Sequence, residues 1–241
     1  MNRSIRRSLY ITSIFALVGA FCAIVWHGFT YAGAGSASVQ RWIETATLLG
    51  TRNVVSSIYL GTRFLDSVLE LLVFAVAVLG VRHFLDETAP GSTAEPPDPS
   101  SESHVVSAAA RLMLPIVVLL GLYLAVHGHL SPGGGFSGGV VAASGLLMAA
   151  IAIGSAPVSR RLAPPTALER IEWSAMLLIL ALVVAPVAIS LPPFSPLLPA
   201  GTVGRLASGG NVLPYNLLIA IKVFIGSWTV VQQFLRHRGG I

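Results

Sequence analysis

Charge is what this sequence has least of. Only 10% of its 241 residues are Asp, Glu, Lys or Arg, while 54% are hydrophobic. A soluble domain carries about 25% charged residues, so an ordinary solvated surface is excluded. Disorder over most of the length is excluded too, because chains that stay unfolded are polar. Lysine is almost missing: of the fifteen basic residues, fourteen are Arg and one is Lys222. Cysteine is reduced to Cys22, inside an apolar run. One thiol makes no internal disulfide and holds neither zinc nor an iron–sulfur cluster, so Cys22 reads as buried and inert. No cofactor or resident metal is expected.

Long apolar runs are abundant instead. Several approach or exceed the roughly 20 residues that a helix needs to cross a bilayer. The fold expected is all-α, a polytopic transmembrane helical protein of about six spans. The first runs from Leu9 to Phe29. The second begins between Val54 and Phe64 and ends near Phe84. The third covers Ala108 to Val126, the fourth Phe136 to Ile153, the fifth Trp173 to Leu191 and the sixth Leu213 to Phe234.

Basic residues cluster at the ends of these runs, so the net charge of +5 reports orientation in the membrane rather than nucleic-acid binding. With the N-terminus inside, one side collects Arg3, Arg6, Arg7, Arg82, Arg111, Arg160, Arg161, Arg170, Arg236 and Arg238. The other side receives Arg41, Arg52 and Arg205. Both termini are therefore expected to be cytoplasmic. The start, Arg6-Arg7-Ser-Leu-Tyr-Ile, is loosely like a twin-arginine export signal, but an anchor with positive flanks is the simpler reading.

Residues 86–107 are polar and rich in Pro, Ser and Glu, as expected of a cytoplasmic linker. They separate a two-span unit, 1–85, from a four-span unit, 108–241. Val39, Trp42, Ile43, Ala46 and Leu49 share a helical face, which suits a short helix in the membrane interface. The 191–212 loop holds Pro192, Pro193, Pro196 and Pro199 and shows no periodicity.

Three groups of residues carry chemistry. Arg63, Asp66 and Glu70 are spaced three and four apart, so a helix projects them from neighbouring turns of one face. A lone carboxylate in a bilayer costs several kcal/mol and must be paired, protonated, hydrated or bound to a cation. Two carboxylates one turn apart repel, which favours holding a proton, while Arg63 opposes this and keeps Asp66 ionised. Such a trio suits proton or sodium handling; the alternative is ion pairing at the outer interface. Glu70 lies deeper under either reading.

The second group is His127-Gly-His129-Leu-Ser-Pro132-Gly133-Gly134-Gly135-Phe136-Ser-Gly138-Gly139, between the third and fourth spans. Three glycines after a proline are unlike ordinary helix. Non-helical backbone at membrane depth survives only inside protein or beside water. Gly138 and Gly139 let the next helix approach a neighbour closely. The Gly-Lys-Ser/Thr ending of a phosphate loop is missing, so nucleotide binding is not expected. The two histidines serve either as a proton relay or as turn-stabilising hydrogen bonders. The third group is Lys222, near the middle of its span, which must lose its proton, pair with an acid or snorkel. Glu169 and Glu172, flanking Arg170, are expected at a solvated helix end.

The Pro132-Gly133-Gly134-Gly135-Phe136-x-Gly138-Gly139 segment, preceded by His127-Gly-His129, resembles the signature of the MnhB-type subunits of the Mrp/Mnh Na+/H+ antiporters. The resemblance covers about residues 108–235 and includes Asn211-Val-Leu-Pro-Tyr-Asn and Lys222-Val. The same MnhB-like domain is found in membrane-bound hydrogenases and related respiratory complexes. The segment from Asn53-Val-Val to Arg63-x-x-Asp66-x-x-x-Glu70 is similar to the C-terminal part of the largest Mrp protein. In hydrogenases the corresponding piece is a separate small protein. The family pattern there is Asp-Thr-x-Gly-Glu; Ser67 stands for the Thr and Leu69 for the Gly.

The resemblance implies two neighbouring subunits fused by the linker, acting as an accessory part of a multisubunit cation/proton antiporter in the cell membrane. Transported Na+ and H+ are its expected ions. Its expected partners are other Mrp-type or complex I-like membrane subunits and the lipid bilayer, with no nucleic acid. The ion or proton path is expected to use Glu70, Asp66, Lys222, Arg63, His127 and His129. The rivals are an ion-translocating subunit of a redox complex such as a hydrogenase, without a catalytic site of its own, and an assembly scaffold.

Overall fold

The computed structural model describes residues 35–88, 104–191 and 194–236. The expected first span, the paired arginines at its start, Cys22 and most of the linker lie outside the described residues.

All regular structure among the described residues is helical. Helix α1 covers Gly35–Leu48 and α2 covers Val54–Ser57. A single wide turn of π-helix, Ile58–Thr62, follows. Then come α3, Phe64–Thr88; α4, His104–Val126; α5, Gly135–Ile153; α6, Ser155–Ser159; α7, Pro165–Val184; and α8, Val212–Arg236. A 3-10 turn, Ala185–Ile189, extends α7.

Five of these helices are long and apolar enough to span a bilayer: Phe64–Leu85, His104–Val126, Gly135–Ile153, Pro165–Ile189 and Val212–Leu235. They match expected spans two to six, and the chain is a multi-pass membrane protein. Two boundaries move. Helix α3 continues to Thr88 and α4 starts at His104, so both reach into the 86–107 stretch expected to be a linker. The fifth span begins at Pro165, eight residues before Trp173. Pro165 stands at the start of α7, where a missing N–H costs nothing and a fixed φ suits the first turn.

Small residues bring the helices together. Gly121 of α4 faces Gly138 and Ala142 of α5; a Cβ on Gly121 would lie 2.8 Å from the Ala142 Cβ. On the other side of α5, a Cβ on Gly139 would lie 2.7 Å from the Ala220 carbonyl oxygen and 2.9 Å from the Val223 Cβ of α8. Between apolar helices in lipid, van der Waals contact and close backbone approach supply the association that hydrophobicity cannot. We expect Gly139→Val to lower stability by about 1–3 kcal/mol through overpacking. Thermal unfolding of the detergent-purified protein reads this, and an unchanged midpoint would show that α5 and α8 do not meet there.

The core of α3, α7 and α8 includes Phe64, Leu71, Ile179, Tyr215 and Val223. Tyr215 stacks on Phe64, with ring centroids 3.9 Å apart. A second cluster joins Leu146, Ala149, Val158 and Trp228. Helix α4 leaves Leu112, Ile116, Leu119 and Leu122 exposed. In a membrane helix such a stripe meets lipid or another protein of the assembly.

Candidate functional site

Two breaks in regular structure meet among the described residues. The first is the stretch from Thr51 to Arg63, where α2 and the π turn precede the membrane helix α3. The second is the His127–Gly134 segment between α4 and α5. Asn53 joins them: its Nδ2 donates to the Gly128 carbonyl at 2.8 Å and the Ser131 carbonyl at 2.9 Å. The backbone N–H groups of Arg52 and Asn53 both donate to the His129 carbonyl, at 3.0 and 3.1 Å. Asn53 also caps α2, its Oδ1 accepting from the Ser56 N–H. One side chain therefore fixes the start of α2 and the turn that carries both histidines.

The glycine segment is pinned from α8. Asn216, fully buried, accepts the Gly135 N–H on its Oδ1 at 2.8 Å. This satisfies one of the donors that a helix N-terminus leaves without an internal partner. Gly134 has φ 155° and packs against the Tyr59 hydroxyl, a backbone conformation and an approach that a side chain would forbid. The Tyr59 O–H points toward the Gly133 carbonyl at 3.4 Å. Ser67 closes the π turn by donating to the Tyr59 carbonyl at 2.7 Å.

These parts form the wall of an open groove of about 1360 Å³ between α3, α5 and α8. Its polar lining comes from Tyr59, Asp66, Ser67, Glu70 and Ser137, and Gly133 and Gly134 add backbone. The rest is mainly apolar, including Phe74, Phe136, Val140 and Ile219. Phe74 and Phe136 meet edge-on, with centroids 5.8 Å apart.

The expected acids stand differently in this groove. Asp66 pairs with Arg63 at 2.6 Å, and both side chains are more than half exposed, at 51% and 65%. Arg63 lies just outside α3, at the end of the π turn, so the three charges do not form one continuous helical stripe. Glu70 is one turn further along α3 and faces the open groove. Burial raises the Tyr59 phenol above the ordinary tyrosine range; Ser56 opposes this through a hydrogen bond, and the Glu70 carboxylate adds to it.

The two histidines separate. His127 stacks on Tyr123, with centroids 4.3 Å apart, and its Nδ1 lies 3.2 Å from the Tyr123 carbonyl oxygen. His129 is fully buried. Burial lowers its ring below the ordinary histidine range, while the nearby backbone of Arg205, Leu206 and Val126 pulls the other way. A lowered value means that the folded protein resists a proton that the unfolded chain accepts. Stability is therefore present above about pH 6.5 and lost as pH falls toward the lower folded value. Unfolding of the wild type should be markedly acid-sensitive in this window, and His129→Gln should flatten that dependence. An equal slope in both would remove His129 as the cause.

Lys222 lies outside the groove lining. Its side chain is fully buried, and Nζ lies 2.7 Å from Oε1 of Glu172 on α7, whose side chain is 8% exposed. The Trp173 ring centroid is 5.3 Å from Nζ. This corrects the expectation that Glu169 and Glu172 share a solvated helix end. Because α7 starts at Pro165, Glu172 sits two turns inside the helix and turns toward α8. Glu169 is half-exposed and pairs with Arg82 of α3 at 3.2 Å. The one signal that could have pointed to Glu172 is Lys222 itself, since a single lysine in an apolar span needs a counterion.

Residues 105–229 match the model of a family described as a domain related to the MnhB subunit of Na+/H+ antiporter. No curated protein matches the chain. One solved structure similar to it is a chain of the membrane-bound sulfane sulfur reductase, an archaeal respiratory membrane complex. That likeness has 26% identity and a TM-score of 0.71, and covers 96% of this chain and 99% of that one. A chain of the Mrp complex from Dietzia sp. DQ12-45-1b shares the fold at 24% identity and a TM-score of 0.66. The alignment takes in 98% of this chain and about a quarter of the Dietzia chain, 26%. The match spans more than half of the sequence and contains the glycine segment, α4, α5, α7 and Lys222, so the chain belongs to the MnhB-related family of Na+/H+ antiporter subunit domains.

Proposed function

We propose that the chain is a membrane subunit of an Mrp-type cation/proton antiporter and that Glu70 is its principal ion-handling group. The observation that carries this is the groove. Glu70, on α3, lines a largely apolar groove whose wall also includes Tyr59 of the π turn and the backbone of Gly133 and Gly134. An ionised carboxylate there is stabilised by a cation or a proton, and the two exclude each other on one site. Exchange of one for the other is the elementary act of antiport. Asp66 serves at the mouth, paired with Arg63. Tyr59, between Glu70 and the glycine segment, offers a hydroxyl on the path, and His127 and His129 lie beyond it.

In this reading residues 1–85 and 108–241 are two neighbouring subunits joined in one chain. Asn53, reaching from the first to the turn of the second, is a contact that a fusion would preserve. The arginine distribution supports a cytoplasmic side for both termini. The antiporter's main proton channel belongs to partner subunits, which cover the apolar stripe of α4.

A second reading is favoured by the near-complete overlap with the sulfane sulfur reductase chain: the protein serves a respiratory complex, moving ions without chemistry of its own. Purification of the intact assembly separates the two, since redox partners accompany the chain only in the second. The test of the site is Glu70→Gln in vesicles carrying the assembled complex. Full exchange activity would overturn the assignment.

A further inference from the structure

Glu172 and Lys222 stand apart from the groove and have no role in the scheme above. They share a 2.7 Å hydrogen bond between α7 and α8. The core residues next to them, Met176 and Val223, are buried and apolar. A buried ion pair is a poor way to hold two apolar helices together, since hydrocarbon packing of the same volume often does as well or better. Along this interface the chain otherwise uses hydrocarbon, as at Ile179 and Ile219. The pair invites another explanation.

We propose that Glu172 and Lys222 form a proton-exchange pair coupled to the groove. Moving one proton from Nζ to Oε1 breaks an N–H bond and makes an O–H bond. The lysine keeps the electron pair, both charges vanish and no co-reactant is needed. The pair can thus exist as an ion pair or as a neutral pair. Ile219 lines the groove and precedes Lys222 by three residues on α8. A cation entering the groove is therefore about one helical turn from the pair along α8. Its field shifts the balance between the two forms, which is the coupling an exchanger needs.

Few other charges compete. Helix α5, packed against α8, carries no ionisable residue, and α4 carries His104, Arg111 and Tyr123. On α3 the groups are Asp66 and Glu70 in the groove, and Arg82, His83, Asp86 and Glu87 toward its far end. On α7, Glu169 is bound to Arg82 and Arg170 lies beside it. Helix α8 itself adds Tyr215 and, at its last residue, Arg236.

The inference rests on the transport reading for its purpose and on the pair alone for its chemistry, so two measurements are needed. The first uses Glu172→Gln combined with Lys222→Met, which removes both charges and leaves neither stranded. Vesicles with the assembled complex receive a sodium pulse while proton movement is followed. We expect the double variant to assemble and to lose at least tenfold in exchange; assembly with full exchange overturns the proposal. Should the double variant fail to assemble, Glu172→Asp decides, with a displaced pH profile in support and an unchanged one against. The second measurement is infrared difference spectroscopy of the purified complex between acid and alkaline buffer. A protonated-carboxyl band that is deuterium-sensitive and lost in Glu172→Gln supports the pair, and a band untouched by that change overturns it. If the wild type shows no exchange at all, the transport reading fails while the infrared result still judges the pair.

Discussion

Sodium-driven proton movement should fall at least tenfold in Glu70→Gln, the change that ~1.4 kcal/mol of lost cation binding produces. Glutamine keeps the shape and one carbonyl acceptor of glutamate, but neither binds a proton reversibly nor balances a cation. The groove offers little to replace it. Phe74, Phe136, Val140 and Ile219 contribute hydrocarbon, and Tyr59 and Ser137 contribute hydroxyls without charge. Asp66 is no substitute, because Arg63 at 2.6 Å already neutralises it and half of its side chain is open. Asp66→Asn should therefore cost much less exchange than Glu70→Gln. The comparison is made in one vesicle preparation with assembly checked on a native gel. A larger loss in Asp66→Asn would move the binding site to the mouth of the groove. A loss of assembly in Glu70→Gln would show that the carboxylate holds the complex together.

The largest stability effect belongs to α7 and α8. Lys222→Met alone leaves the Glu172 carboxylate buried without its partner, and breaking a buried pair in this way costs about 3–5 kcal/mol. The same loss is expected for Glu172→Gln, which strands the ammonium beneath Trp173. Removing both should recover most of it, because two neutral side chains of similar volume refill the space. Thermal unfolding of the purified protein in detergent measures all three. Additive losses in the double variant would mean that the two side chains do not interact. This experiment concerns stability and is independent of any ion movement.

The helices were legible because spanning a bilayer requires long apolar stretches, and hydropathy shows those directly. The glycine segment was legible because consecutive glycines after Pro132 have few structural uses. The extent of α7 was not. Residues 165–172 contain Glu169, Arg170 and Glu172, and their polarity masks a helix that simply starts before the apolar stretch. That hid Glu172 inside a supposed helix end. The role of Asn53 was equally hidden, since its partners, the carbonyls of Gly128 and Ser131, lie more than seventy residues away. The trio of Arg63, Asp66 and Glu70 was half visible: the spacing suggested a shared helical face, but the π turn puts Arg63 outside the helix.

The sequence by itself determined that this is a multi-pass helical membrane protein with ionisable groups where lipid tolerates few. Composition and run length suffice for that, because transfer free energy depends on local chemistry alone. Only the tertiary structure decided which of those groups are partners. Lys222 and Glu172 are fifty residues apart and meet through the packing of α7 on α8. Tyr59, Glu70 and Gly134 converge because Asn53 ties the two irregular segments together and Asn216 pins the glycine segment to α8. Such pairings depend on helix rotation and on close approach at glycines, and a one-dimensional pattern carries neither.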